Sequence, residues 1–118
     1  MEYRMYFDSN GRPKADFSAS SEEYGLFGLF LSMELGRSIF KCDELIHIIE
    51  DVVTGSRQGF RGTGNLFTLI IGSKEVQIKN AFAEIDESAS LELQEFMSVL
   101  QDWRHLIYSS DRNAEISH

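Results

Sequence analysis

GSRQGFRGTGNLFTLIIGSKEVQIKNAFAEIDESASLELQEFMSVLQDWRHL, residues Gly55 to Leu106, reads as two strands and a helix in succession. Gly59, Gly62 and Gly64 punctuate its entry, and a β-branched and aromatic run predicts a strand over about 64–72. Gly72-Ser73 marks a tight turn, and Val76 and Ile78 then alternate with Glu75, Gln77 and Lys79, predicting a second strand over 74–82. An acidic connection follows. Leu93, Phe96, Met97, Leu100, Trp103 and Ile107 form one stripe at helical spacing, predicting a helix over about 92–108. The stretch therefore specifies a β-hairpin closed by an amphipathic helix while supplying almost no reactive side chains. That combination points toward binding rather than catalysis.

Working outward, residues 43–54 read as a second helix. Leu45, Ile48, Ile49, Val52 and Val53 recur at its inner face, with Asp43 as N-cap and Gly55 as a left-handed C-terminal cap. Residues 2–8 and 13–19 read as strands joined at Ser9-Asn10-Gly11, where Asn and Gly tolerate positive φ. Residues 24–35, YGLFGLFLSMEL, fit either a strand or a helix. Gly25 and Gly28 each cost a helix about 1 kcal/mol, so the reading favours a buried strand. Residues 109–118 carry no pattern and should fray. The order β-β-β-α-β-β-α reads as α+β: an antiparallel β-sheet packed against two amphipathic helices, about 43–54 and 92–108. The expectation is a single domain over 1–118 with a frayed tail from about 110.

Charge narrows the partners. Eleven Lys and Arg stand against 19 Asp and Glu, a net charge of −8. Such a surface repels nucleic acid and anionic membranes and favours encounter with a basic partner. The single cysteine, Cys42, has no internal disulfide partner. No apolar run reaches the roughly 20 residues of a membrane span, and MEYRMYFDSN lacks a signal peptide's apolar stretch, so a cytoplasmic location is expected.

The search for reactive constellations turns up little. His47 and His105 fall off the apolar stripes of their helices, and no Cys or His pair has ligand spacing. Asp43, His47 and Asp51 stack on one helical face, a pattern commoner in solvated surfaces than in metal sites. Gly59, Gly62 and Gly64 lack the Lys-Ser/Thr and the helix that a phosphate loop requires. No catalytic residue, cofactor or metal is assigned. The carboxylates are the candidate contacts for a basic partner: Glu84, Asp86 and Glu87 first, then Glu22, Glu23, Glu50 and Asp51.

Gly62-Thr63-Gly64-Asn65 entering a strand, Val76-Gln77-Ile78-Lys79-Asn80-Ala81-Phe82 returning from it, and Leu93, Phe96, Leu100 and Trp103 on the closing helix carry a resemblance. The helix from Asp43-Glu44-Leu45-Ile46 to Val53 and Gly55 fits the same pattern. Over about 36–107 the chain resembles small bacterial immunity proteins of contact-dependent growth inhibition and polymorphic toxin systems, in the group that protects against EndoU-type RNase toxins. A second likeness, to YacL-like proteins, rests on the same layout. The first resemblance implies a cytosolic, non-enzymatic protein that binds a cognate toxin domain, an RNase, and occludes its active site or substrate cleft. The second implies a cytosolic binding or adaptor protein without a toxin partner. Neither resemblance carries a binding residue, so the site expectation rests on charge and exposure.

Overall fold

The computed structural model describes residues 1–81, 87–109 and 111–118. Its first strands, β1 (Arg4–Phe7) and β2 (Pro13–Asp16), pair antiparallel in the expected hairpin. Gly11 takes φ +75° in the turn, and the Asp8 carboxylate accepts from the Asn10 and Arg12 amides. Those two amides, and the nearby Lys14 and Arg12 charges, hold the Asp8 carboxyl below its usual range.

Residues 24–35 are helical, which corrects the strand reading. A single 3₁₀ turn, Glu22–Tyr24, leads into α1 (Gly25–Leu29), which continues as a π-helix over Phe30–Leu35. The wide turn ends with the Gly36 amide donating to the Leu31 carbonyl, and Gly36 at φ +52° breaks the helix. Phe27, Phe30, Leu31 and Leu35 are buried, so tertiary packing overrides the glycine penalty.

Helix α2 (Ile39–Thr54) begins before the expected residue 43. Ser38 is its N-cap, accepting from the Lys41 amide, and Asp43 lies inside the helix instead of capping it. Gly55 caps the other end in the left-handed region, as predicted. Cys42, Leu45, Ile49 and Val52 face inward, whereas Val53 is exposed.

A second sheet follows, ordered β3-β4-β5-β6 and antiparallel throughout. Its strands are β3 (Phe60–Thr63), β4 (Phe67–Ile71), β5 (Glu75–Asn80) and β6 (Ser88–Glu92). The Gly72-Ser73 turn joins β4 to β5. Strand β6 occupies part of what reads as an acidic connection; Ala89 and Leu91 point inward from it. Glu34 fixes the β3–β4 corner by accepting from the Leu66 amide at 2.7 Å.

Helix α3 (Leu93–Tyr108) matches its prediction and buries Phe96, Val99, Leu100, Trp103 and Leu106 among others. Asp43 near the start of α2 pairs with Arg104 near the end of α3 at 2.5 Å, tying the two helices together.

The C-terminal residues depart from the expected frayed tail. Strand β7 (Glu115–Ser117) adds antiparallel to β1, completing a three-stranded sheet β2-β1-β7. The pairing supplies order that three residues without apolar alternation do not advertise. An Arg4–Glu115 ion pair lies across it at 3.3 Å. The α+β class holds, with two antiparallel sheets and three helices among the described residues.

Candidate functional site

Three of the predicted carboxylates meet at one groove. Glu22 and Glu23 are exposed on the 3₁₀ turn, and Glu87 is exposed immediately before β6. They rim a groove of about 660 Å³ whose wall is Gly25, Leu26 and Leu29 of α1, closed on the far side by Ser88. Leu29 is 49% exposed, and Met33, one turn further along the same helix, is 57% exposed. The result is an apolar strip bordered by negative charge, a surface that suits aliphatic side chains flanked by Lys or Arg.

The other predicted contacts lie elsewhere. Glu50 and Asp51 are exposed on α2 and do not line this groove. Glu84 and Asp86 fall outside the described residues. Sequence reasoning missed Leu26, Leu29 and Met33, because their spacing shows only once residues 24–35 are known to be helical.

A second groove, of about 800 Å³, lies further along β6. Ser90, Leu91 and Glu92 of that strand line it together with Tyr24, Lys74 and Glu95. Glu92 and Glu95 outnumber Lys74 there, so the acidic character continues along the strand.

A polar cluster fastens the other sheet to α3. The Tyr3 hydroxyl donates to the Asp102 carboxylate, and His118 Nε2 lies 2.8 Å from the same oxygen. Burial first, then the Asp102 hydrogen bond and its charge, push the Tyr3 pKa well above the ordinary tyrosine value. The neutral hydroxyl is therefore favoured in the folded state. An unfolded tyrosine ionises near pH 10, so this contribution is intact below that pH and is lost as pH rises through and beyond it. The urea midpoint of the wild type should fall above pH 10, and Tyr3→Phe should flatten that fall. Tyr3→Phe should also cost about 1–2 kcal/mol at neutral pH, through the lost hydrogen bond. Parallel alkaline profiles for the two proteins would remove Tyr3 as the cause.

Cys42 is fully buried, and burial together with the Asp43 charge pushes its thiol up to about 11. That is the reverse of nucleophile activation. Arg104 donates to Asp43, one member of the Asp43–His47–Asp51 row, and holds its carboxyl below the usual range. Among the described residues no group of three or more His, Cys, Asp or Glu is arranged to hold a metal ion. No helix of the described residues is long and apolar enough to cross a membrane.

A family model described as an uncharacterised protein family (UPF0231) matches residues 1–107. No curated protein and no solved structure matches the chain.

Proposed function

Because the chain belongs to the UPF0231 family, described as uncharacterised, we propose its role from its own chemistry: it is a non-enzymatic protein that binds a basic partner. The observation that carries this reading is the convergence of Glu22, Glu23 and Glu87 on the apolar strip of α1. Two of these carboxylates come from the N-terminal half and the third, Glu87, immediately precedes β6, so the fold assembles the patch. Acidic residues steer encounter, and the Leu26 and Leu29 side chains supply apolar contact once the partner is seated.

The most specific form of the proposal is a cytoplasmic immunity protein that neutralises a cognate toxin, an RNase, by covering its substrate cleft. A nuclease cleft is lined with donors for phosphate, and carboxylates satisfy the same donors. The test is co-expression with any RNase toxin domain encoded beside its gene. The wild type should co-purify with that domain and protect the cells, and the triple variant Glu22→Lys, Glu23→Lys, Glu87→Lys should do neither. Failure of the wild type to protect removes the immunity form. An unchanged triple variant removes this groove as the contact.

A further inference from the structure

Among the described residues strand β6 lies at the edge of its sheet, and its ladder pattern shows which backbone groups point outward. At one end of the β5–β6 ladder the Asn80 amide donates to the Glu87 carbonyl, and at the other the Leu93 amide donates to the Lys74 carbonyl. Hydrogen-bonded rungs alternate along an antiparallel pair. Those two bonds therefore place Ile78/Ala89 and Val76/Leu91 on bonded rungs, given the register. The amides and carbonyls of Ser88 and Ser90 consequently point away from β5. The 3₁₀ turn Glu22–Tyr24 runs close by, yet no backbone hydrogen bond joins it to β6 among the described residues.

Both acidic grooves open onto this strand, one at Glu87 and Ser88 and the other at Ser90 through Leu93. We infer that the free edge of β6 is a docking strand for an extended, lysine- or arginine-bearing segment of a partner protein. The inference rests on the basic-partner reading above and adds the mode of contact: backbone pairing at Ser88 and Ser90, with basic side chains reaching the flanking carboxylates. Charge selects this occupant over a second copy of the chain. An antiparallel pairing of two β6 strands about Ser90 sets Glu92 of one copy opposite Ser88 of the other, and it brings the acidic groove at the start of each strand against the acidic groove at the end of the other, so like charge faces like charge.

The test uses a short peptide of alternating lysine and valine as probe, with a glutamate–valine peptide as control. A third peptide carries N-methyl groups at alternate lysine–valine amides, so that it keeps its charge but cannot pair. Amide hydrogen exchange should show the Ser88 and Ser90 amides becoming protected when the lysine peptide binds. N-methylation should weaken binding about tenfold, the loss expected for one or two backbone hydrogen bonds. Ser90→Pro removes an outward-facing amide, a position where an edge strand tolerates proline, and should weaken binding to a similar degree. If Ser90→Pro disturbs the fold, the N-methylated peptide still decides the question on the wild-type protein. Binding that depends on Glu22, Glu23 and Glu87 but ignores N-methylation overturns strand addition and leaves the basic-partner reading standing. Equal binding of the lysine and glutamate peptides overturns both. Protection of Ser88 and Ser90 that follows protein concentration without peptide assigns the edge to a second copy and overturns the inference.

Discussion

Trp103→Ala should cost about 4 kcal/mol of folding stability. The indole is fully buried on α3, and its Nε1 donates to the Gly36 carbonyl at 2.9 Å. Two penalties combine in the variant. A large cavity opens in the core, where the indole is wholly enclosed, and aromatic-to-alanine changes of this kind cost about 3–5 kcal/mol. The Gly36 carbonyl also loses its donor at a residue already held at φ +52° and ψ −129°, and an unsatisfied acceptor costs about 1–3 kcal/mol where water cannot replace the donor. Trp103→Phe weights the two differently, because it keeps much of the apolar volume while removing the N–H; it should cost about 1–3 kcal/mol. Urea denaturation followed by far-UV circular dichroism is the measurement, since Trp103 is the only tryptophan and its fluorescence vanishes with it. A lowered midpoint with an unchanged slope is expected, and a loss under about 1 kcal/mol for Trp103→Ala would contradict this packing account.

The same tryptophan shows what sequence patterning can and cannot deliver. Its place on the inner stripe of α3 follows from helical periodicity, and so do the inward faces of Leu45, Ile49 and Val52 on α2. Its partner, the Gly36 carbonyl, is a backbone group whose position depends on the π-helix before it, and no residue pattern announces that. Strand β6 was hidden for a related reason. SASLE has two inward apolar residues and three small or charged outward ones, too weak a pattern to separate from the acidic residues before it. Strand β7 is shorter still and exists by virtue of its pairing with β1. Asp43 has the chemistry of an N-cap and sits near a helix start, but Ser38 takes that role and Asp43 turns to Arg104 on the neighbouring helix. The acidic groove was legible only in part. Composition showed that carboxylates would be exposed; the meeting of Glu22 and Glu23 with Glu87 is a product of the fold.

Gly28→Ala should destabilise the protein by about 1–2 kcal/mol, while Gly25→Ala should stabilise it by about 0.5–1 kcal/mol. The opposed signs come from one difference. Each substitution gains helix propensity, about 1 kcal/mol in favour of alanine. At Gly25 an added Cβ meets nothing within 4 Å, so the gain stands. At Gly28 the added carbon would lie 2.6 Å from the Ala15 carbonyl oxygen of β2 and 3.6 Å from the Phe17 ring. The first is backbone on a paired strand and has no flexible end to swing aside. Relief requires α1 to lift away from β2, which opens the packing of Phe27 and Leu31, both fully buried. Overpacking of this kind costs about 1–3 kcal/mol and exceeds the propensity gain. Gly28→Val should be worse, because a β-branched side chain adds volume at the same contact. Chemical denaturation of the two alanine variants is the decisive comparison. If both stabilise, α1 can move off β2 freely and the close approach is not a constraint. If they separate as expected, Gly28 is explained as the residue that lets a helix lie directly on a strand. The glycine that argues against a helix when residues 24–35 are read alone is then the one that the helix needs in order to pack.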